Sequence, residues 1–148
     1  MFRVTRQIDF CYGHRLLNYQ GKCRHLHGHN GRAVLTLAGT ELDERGMLLD
    51  FGEMKRIVQR WIDDEWDHRM ILRRDDPAVA ALTELGEPLV LIDVNPTAEN
   101  LARLIFEYAR QRGLPVVEVR LWETPKCSAS YCEGASGGWS ESGAPRPA

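Results

Sequence analysis

Two histidines in the segment CRHLHGH, His27 and His29, have the spacing of paired metal ligands. In an extended chain alternate side chains point to the same side, so the two imidazoles converge. His14, which ends an upstream alternating segment, can supply a third imidazole from a neighbouring strand. Three neutral imidazoles leave one position of a tetrahedral Zn²⁺ open, as in catalytic zinc sites. His25 is out of phase with the pair and is predicted not to be a ligand.

Cys23 begins the same segment and lies between Lys22 and Arg24. A nearby cation and basic neighbours favour the thiolate, so Cys23 is a candidate general base. Two alternatives remain open: the histidine spacing could arise by chance, or a structural zinc site could be completed by Cys23 or by Cys127 and Cys132. The last two cysteines are spaced C-x4-C, which differs from the tight C-x2-C of a zinc knuckle.

Three further residues have types suited to proton transfer or recognition. Asp67 and His68 are adjacent at the end of a predicted helix, where the carboxylate can orient the imidazole for a proton relay. The same dipeptide also occurs at helix ends for structural reasons alone. Glu123 ends a predicted strand, and its carboxylate can accept hydrogen bonds from two adjacent N–H groups of an amino-heterocycle such as a pterin or guanine.

The hydrophobic pattern predicts the elements that position these residues. Alternating or short apolar runs predict strands over 2–10, 32–38, 89–94 and 116–123, with 47–51 pairing as a hairpin with 32–38. Helical spacing predicts helices over 52–66, 78–85 and from 97 to a stop at 113. Residues 11–30 show little periodicity and are predicted to be irregular. Two helices against a small antiparallel sheet make the class α+β.

Composition limits the function classes. The 148 residues are 43% hydrophobic and 27% charged with a formal net charge of -2, as in one soluble globular domain. Without a basic run or an apolar leader, the chain is predicted to bind neither nucleic acid nor membrane and to be cytoplasmic, with reduced cysteines. The Gly/Ser/Pro-rich residues 133–148 are predicted to form a flexible tail after a domain of residues 1–132.

The order of these motifs resembles the 6-pyruvoyltetrahydropterin synthase / 6-carboxytetrahydropterin synthase family. The pattern is a histidine in FCYGH, then CRHLHGH, then DH and a late ET, with GMLLDFGEMK and NPTAEN also similar to family segments. The resemblance implies the tunnelling fold (T-fold), a four-stranded antiparallel sheet with two helices on one face. It also implies homo-oligomers, in which trimers form a barrel and pair into hexamers, with active sites between subunits.

The resemblance also implies a role for each candidate residue. It implies that zinc is bound by His14, His27 and His29 and that Cys23 is the base that abstracts a proton. It further implies that Asp67 and His68 form a proton relay and that Glu123 anchors the pterin. The implied substrate is 7,8-dihydroneopterin triphosphate, and the predicted activity is 6-carboxy-5,6,7,8-tetrahydropterin synthase. The alternatives are 6-pyruvoyltetrahydropterin synthase and a non-catalytic zinc- or pterin-binding module. Two positions depart from the family pattern and are expected to reshape the pocket: bulky Tyr12, where small residues are frequent, and Gly31, where an aromatic is frequent.

Overall fold

The structure, a computed structural model, describes residues 1–133, so residues 134–148 of the predicted tail lie outside the described residues. The strands are β1 Phe2–His14, β2 His27–Gly39, β3 Arg69–Arg73, β4 Leu89–Ile92, β5 Val116–Thr124 and β6 Cys127–Tyr131. They form one sheet in the order β4-β3-β1-β2-β5-β6. The two longest strands, β1 and β2, are neighbours at its centre.

Three helical segments accompany the sheet. Helix α1 is a continuous run made of Phe51–Met54, a π-helical stretch Lys55–Gln59 and Arg60–Glu65, and it is followed by α2 Ala78–Glu84 and α3 Ala98–Gln111. The predicted helix starts are confirmed, since the side chains of Asp50 and Thr97 accept hydrogen bonds from the backbone N–H of Gly52 and Asn100. Among residues 1–133, no helix has the length and apolar character needed to cross a membrane.

The predicted α+β class is confirmed, and the sheet is larger than the sequence pattern indicated. Strands β1, β2, β5 and β6 pair antiparallel and form the expected four-stranded unit. Beyond it, β3 pairs parallel with the end of β1 and β4 pairs parallel with β3. This extension carries the segment after Asp67 and His68 alongside the end of β1 that holds His14.

The core lies between one face of the sheet and the helices α1 and α3. Alternate residues of β1, among them Ile8, Phe10 and Tyr12, point into it, while the residues between them, such as Gln7 and Asp9, are exposed. The alternation follows from the period of two along a strand, so the opposite face of the sheet is polar. His14 continues the inward-facing row and is buried.

Two sequence predictions were wrong. Residues 47–51 form no strand with 32–38, because Asp50 caps a helix that begins at Phe51. The irregular segment is also shorter than predicted, since β1 extends to His14 and β2 begins at His27. The ends of β1 and β2 are polar and rich in glycine, so they lack the apolar alternation that predicts a strand. They are strands because they form hydrogen bonds with each other.

Candidate metal centre

The register of β1 and β2 brings the three candidate histidines together. His14 pairs with His27 across the two strands, and His29 lies two residues further along β2 on the same face. The ring centroids of His14 lie 4.5 Å from His27 and 5.0 Å from His29, and those of His27 and His29 are 5.1 Å apart. The three residues therefore form a compact cluster, named here the three-histidine group.

Backbone carbonyls fix the tautomers of two of these rings. The Nδ1 of His14 lies 2.7 Å from the Pro96 carbonyl oxygen, and the Nδ1 of His27 lies 2.8 Å from the His25 carbonyl oxygen. A carbonyl oxygen only accepts, so both Nδ1 atoms donate, and in the neutral rings both Nε2 atoms keep a lone pair. Those two Nε2 atoms face each other 3.0 Å apart. Two facing lone pairs repel unless a cation lies between them.

The ring of His29 is the third member of the three-histidine group. Among residues 1–133, the Nε2 of His29 is buried without a hydrogen-bond partner, which is costly for a polar atom. One nitrogen from each of the three histidines lies within 4.8 Å of the others, so the group could hold a metal ion. Burial lowers the pKa of His14, although the Pro96 carbonyl and Glu123 act in the opposite direction. The geometry thus brings three imidazole nitrogens close enough together to act as ligands of one ion.

Glu123 reaches this group from the end of β5. Its Oε1 lies 3.8 Å from the Nε2 of His14 and accepts a hydrogen bond from the Tyr12 hydroxyl at 3.2 Å. Burial, the negative charge of Glu123 and this hydrogen bond all raise the pKa of Tyr12, so the phenol remains a donor. Residues Val119, Leu121 and Glu123 share one face of β5, which is why the predicted strand points the carboxylate inward.

Asp67 and His68 lie just before β3, and His68 lines a cavity of about 530 Å³ that His27 and His29 also line. One oxygen of Asp67 accepts from the Cys11 backbone N–H and the other from the His68 Nδ1, both at 2.8 Å. Burial works to raise the pKa of Asp67, but these hydrogen bonds outweigh it and hold the pKa below its ordinary value. His68 has φ 57, a left-handed conformation that is uncommon outside glycine.

The candidate cysteines Cys23, Cys127 and Cys132 differ in exposure. Cys23 is half-buried in a short 3-10 turn, Lys22–Arg24, and its carbonyl accepts the Leu16 N–H at 2.8 Å. Cys127 and Cys132 are exposed. Within the described part of the chain, no cysteine belongs to a group of three or more possible metal ligands, so a zinc knuckle has no geometric support.

The sequence did not indicate two contacts in this centre. The Pro96 carbonyl, which orients His14, belongs to the NPTAEN segment, whose resemblance to a family motif was the only available signal. The contact of Tyr12 with Glu123 joins residues 111 positions apart, and only the pairing of β1, β2 and β5 brings them together.

A family model and a sequence relative each match most of this chain. The model of the 6-pyruvoyl tetrahydropterin synthase family matches residues 3–134. The chain belongs to this family. A 6-carboxy-5,6,7,8-tetrahydropterin synthase from Rickettsia bellii is 35% identical over 134 residues, spanning 86% of this chain and 97% of the relative.

Solved structures show the fold of the family. An uncharacterized protein from Wolinella succinogenes has a TM-score of 0.77 and 28% identity, over 90% of this chain and 98% of that chain. The 6-pyruvoyl tetrahydropterin synthase of Caenorhabditis elegans has a TM-score of 0.68 and 24% identity, over 90% of this chain and 96% of that chain. The second likeness confirms the tunnelling fold.

Proposed function

We propose that this chain is a 6-carboxy-5,6,7,8-tetrahydropterin synthase. It would convert 7,8-dihydroneopterin triphosphate with release of acetaldehyde and triphosphate, in the queuosine precursor pathway. The observation that carries the proposal is the convergence of three imidazoles beside the Glu123 carboxylate. The name of the Rickettsia bellii relative supports this choice of product over a 6-pyruvoyl product.

The ion proposed for the three-histidine group is Zn²⁺. Nitrogens that share a tetrahedral zinc at about 2.0–2.1 Å lie roughly 3.3 Å apart, close to the 3.0 Å between the Nε2 atoms of His14 and His27. The carbonyls behind both rings act as outer partners that fix orientation and increase donor strength. When bound, zinc would polarise the side-chain hydroxyls of the substrate and acidify the adjacent carbons.

The Glu123 carboxylate is proposed to bind the pterin ring. A carboxylate has about four acceptor positions, and within residues 1–133 only the Tyr12 hydroxyl uses one of them. The remaining positions suit two adjacent N–H donors on the ring, in the paired geometry that carboxylates also form with guanidinium groups. With Oε1 3.8 Å from the His14 Nε2, a ring held there would place its side chain near the three-histidine group.

Proton transfer is proposed to involve Cys23 as base and His68 as relay, oriented by Asp67. The Nδ1 of His68 is taken by the Asp67 carboxylate at 2.8 Å, so its Nε2 remains available to a substrate. Hydrogen bonds hold the pKa of Asp67 below its ordinary value, so the carboxylate stays ionised and can hold the His68 ring in one orientation. Cys23 belongs to the 3-10 turn Lys22–Arg24 and precedes His27, the first residue of β2, by four positions in the sequence.

A homo-oligomer, either a trimer or a pair of trimers, is proposed as the active form. Two observations support this proposal: the side chain of His68 is exposed, and so is the polar face of the sheet. The side chain of His68 is 77% exposed, although it lines the cavity beside His27 and His29. The polar face of the sheet, which includes Gln7, Asp9 and Arg32, carries a further cavity of about 610 Å³. A second subunit could cover both.

The experiment that tests the function is product identification. Purified zinc-loaded protein is incubated with 7,8-dihydroneopterin triphosphate, and the products are identified by mass. Acetaldehyde together with a 6-carboxypterin is the expected result. Triphosphate release without acetaldehyde would instead establish 6-pyruvoyltetrahydropterin synthase, for which the name of the matched family model provides the support. No turnover would contradict both enzyme proposals and leave a binding module.

A further inference from the structure

Tyr12 lies between the three-histidine group and Glu123 and contacts both. Its ring centroid is 5.2 Å from that of His14 and 5.7 Å from that of His29. Its hydroxyl donates to the Oε1 of Glu123 at 3.2 Å, and the residue is only 2% exposed. Within residues 1–133 this hydroxyl is the only hydrogen-bond donor on the Glu123 carboxylate.

A single donor on Oε1 is sufficient to orient the carboxylate. Glu123 has three side-chain torsions and is partly exposed at the end of β5, so an unrestrained carboxylate would sample several orientations. The Tyr12 hydroxyl fixes one oxygen and leaves the second oxygen and the other lone pairs free. A ligand with two adjacent N–H groups then meets an acceptor that is already oriented, which lowers the entropy cost of binding.

Gly31 on β2 provides the space for this tyrosine. A Cβ atom at position 31 would lie 2.8 Å from the Cε1 of Tyr12, which is closer than packed atoms approach, and 3.3 Å from its Cδ1. Tyr12 in its present position therefore requires glycine at position 31. The two departures from the family pattern thus lie against each other in the structure.

We propose that Tyr12 is a positioning residue for ring recognition, whose hydroxyl fixes the Glu123 carboxylate while Gly31 makes room for its ring. Tyr12 acts through Glu123 and contacts no reacting atom in this account. The inference rests on the proposed role of Glu123 in binding a pterin. It specifies a form of the site in which ring recognition depends on a tyrosine and a glycine in contact across two strands.

The test measures binding separately from turnover. The zinc-loaded protein is titrated with 7,8-dihydroneopterin, which lacks the triphosphate, and the dissociation constant is measured by fluorescence. Tyr12→Phe, which keeps the ring, is compared with Glu123→Ala, which removes the acceptor, and with the double variant; Tyr108→Phe on α3 is the control. Tyr12→Phe is expected to weaken binding about 10-fold, because ligand binding must then also order the Glu123 carboxylate. Tyr108→Phe is expected to bind like the wild type.

The double variant decides whether Tyr12 acts through Glu123. In the Glu123→Ala background, Tyr12→Phe should add less than about a 2-fold change, because no carboxylate remains for the hydroxyl to orient. Unchanged binding in Tyr12→Phe, or the full 10-fold effect in the Glu123→Ala background, would overturn the proposal. If the wild type binds dihydroneopterin but releases no acetaldehyde from dihydroneopterin triphosphate, only the proposed enzyme activity is contradicted. The binding measurements on the four proteins still decide the role of Tyr12.

A stability measurement tests the role of Gly31 without any ligand. Gly31→Ala should lower the thermal midpoint by about 5 °C in the wild type, because the new methyl group overlaps the Tyr12 ring. In the Tyr12→Ala background the same substitution should cost little. An equal loss in both backgrounds would show that position 31 is restricted by something other than Tyr12 and would overturn that half of the proposal.

Discussion

The ion pair of Arg15 with Asp76, beside the proposed ligand His14, allows a quantitative prediction about the stability of the protein. The side chain of Asp76 is fully buried and that of Arg15 is 24% exposed. Asp76 accepts from the Arg15 guanidinium through both oxygens, with Nε at 2.8 Å, and from the Ala78 N–H at 2.8 Å. Arg15 directly follows His14, so this pair anchors the chain as it leaves β1.

Asp76→Asn removes the charge and turns an N–H₂ group toward a guanidinium that has only donors. Leaving one member of a buried pair uncompensated costs about 3 kcal/mol, which for a chain of this size corresponds to a fall in Tm of about 10 °C. The assay is thermal unfolding followed by circular dichroism, at equal protein concentration. Asp75→Asn is the matched control, because Asp75 is 65% exposed and its pair with Arg73 contributes at most about 1 kcal/mol.

The same variant has a predicted pH dependence. Hydrogen bonds from Arg15 hold the pKa of Asp76 below its ordinary value of 3.8, although burial acts in the opposite direction. A carboxyl whose pKa is lower in the folded state stabilises the fold above its unfolded pKa, and the contribution is lost as pH falls through the folded value. The Tm difference between wild type and Asp76→Asn should therefore be full at pH 7 and narrow below about pH 4. Equal Tm values for Asp76→Asn and Asp75→Asn at pH 7 would refute the reasoning.

Two other predictions concern a helix start and the proposed base. Thr97→Ala should lower the free energy of unfolding by about 1 kcal/mol, measured with denaturant, because the Asn100 N–H loses its cap at 3.3 Å; an unchanged midpoint would show that the cap is dispensable. Cys23→Ala should abolish acetaldehyde release while zinc content stays the same, whereas the exposed Cys127→Ala should remain active. Equal activity of the two cysteine variants would exclude Cys23 as the base.

The sequence predicted those parts of the fold that local chemistry determines. The predicted start of α3 at Thr97 and its stop at Gly113 are confirmed, since Thr97 caps the helix and Gly113 has φ 81. Both signals lie within a few residues of the position they mark. By contrast, β3 and β6 were not predicted, because RMILR is short and CSASY has little apolar character. Their strand form depends on pairing with distant neighbours.

The candidate site shows the same division. The spacing of His27 and His29 predicts that their side chains point to the same side of a strand. The position of His14 at the end of an upstream segment made it a candidate third ligand. The contact between Tyr12 and Glu123 depends on the register of three strands, which no local pattern specifies. Tyr12 and Gly31 were recognised as departures from a family pattern, and their contact could be found only in three dimensions.

Metal analysis of two histidine variants tests the central claim most directly. Wild type, His29→Ala and His25→Ala are expressed with added zinc, purified, checked for folding by circular dichroism and assayed for bound metal. His25 is the control because its exposed ring lies in the same segment outside the three-histidine group. The account predicts one equivalent of zinc in wild type and His25→Ala and essentially none in folded His29→Ala. Zinc retained by His29→Ala, or lost by His25→Ala alone, would contradict it.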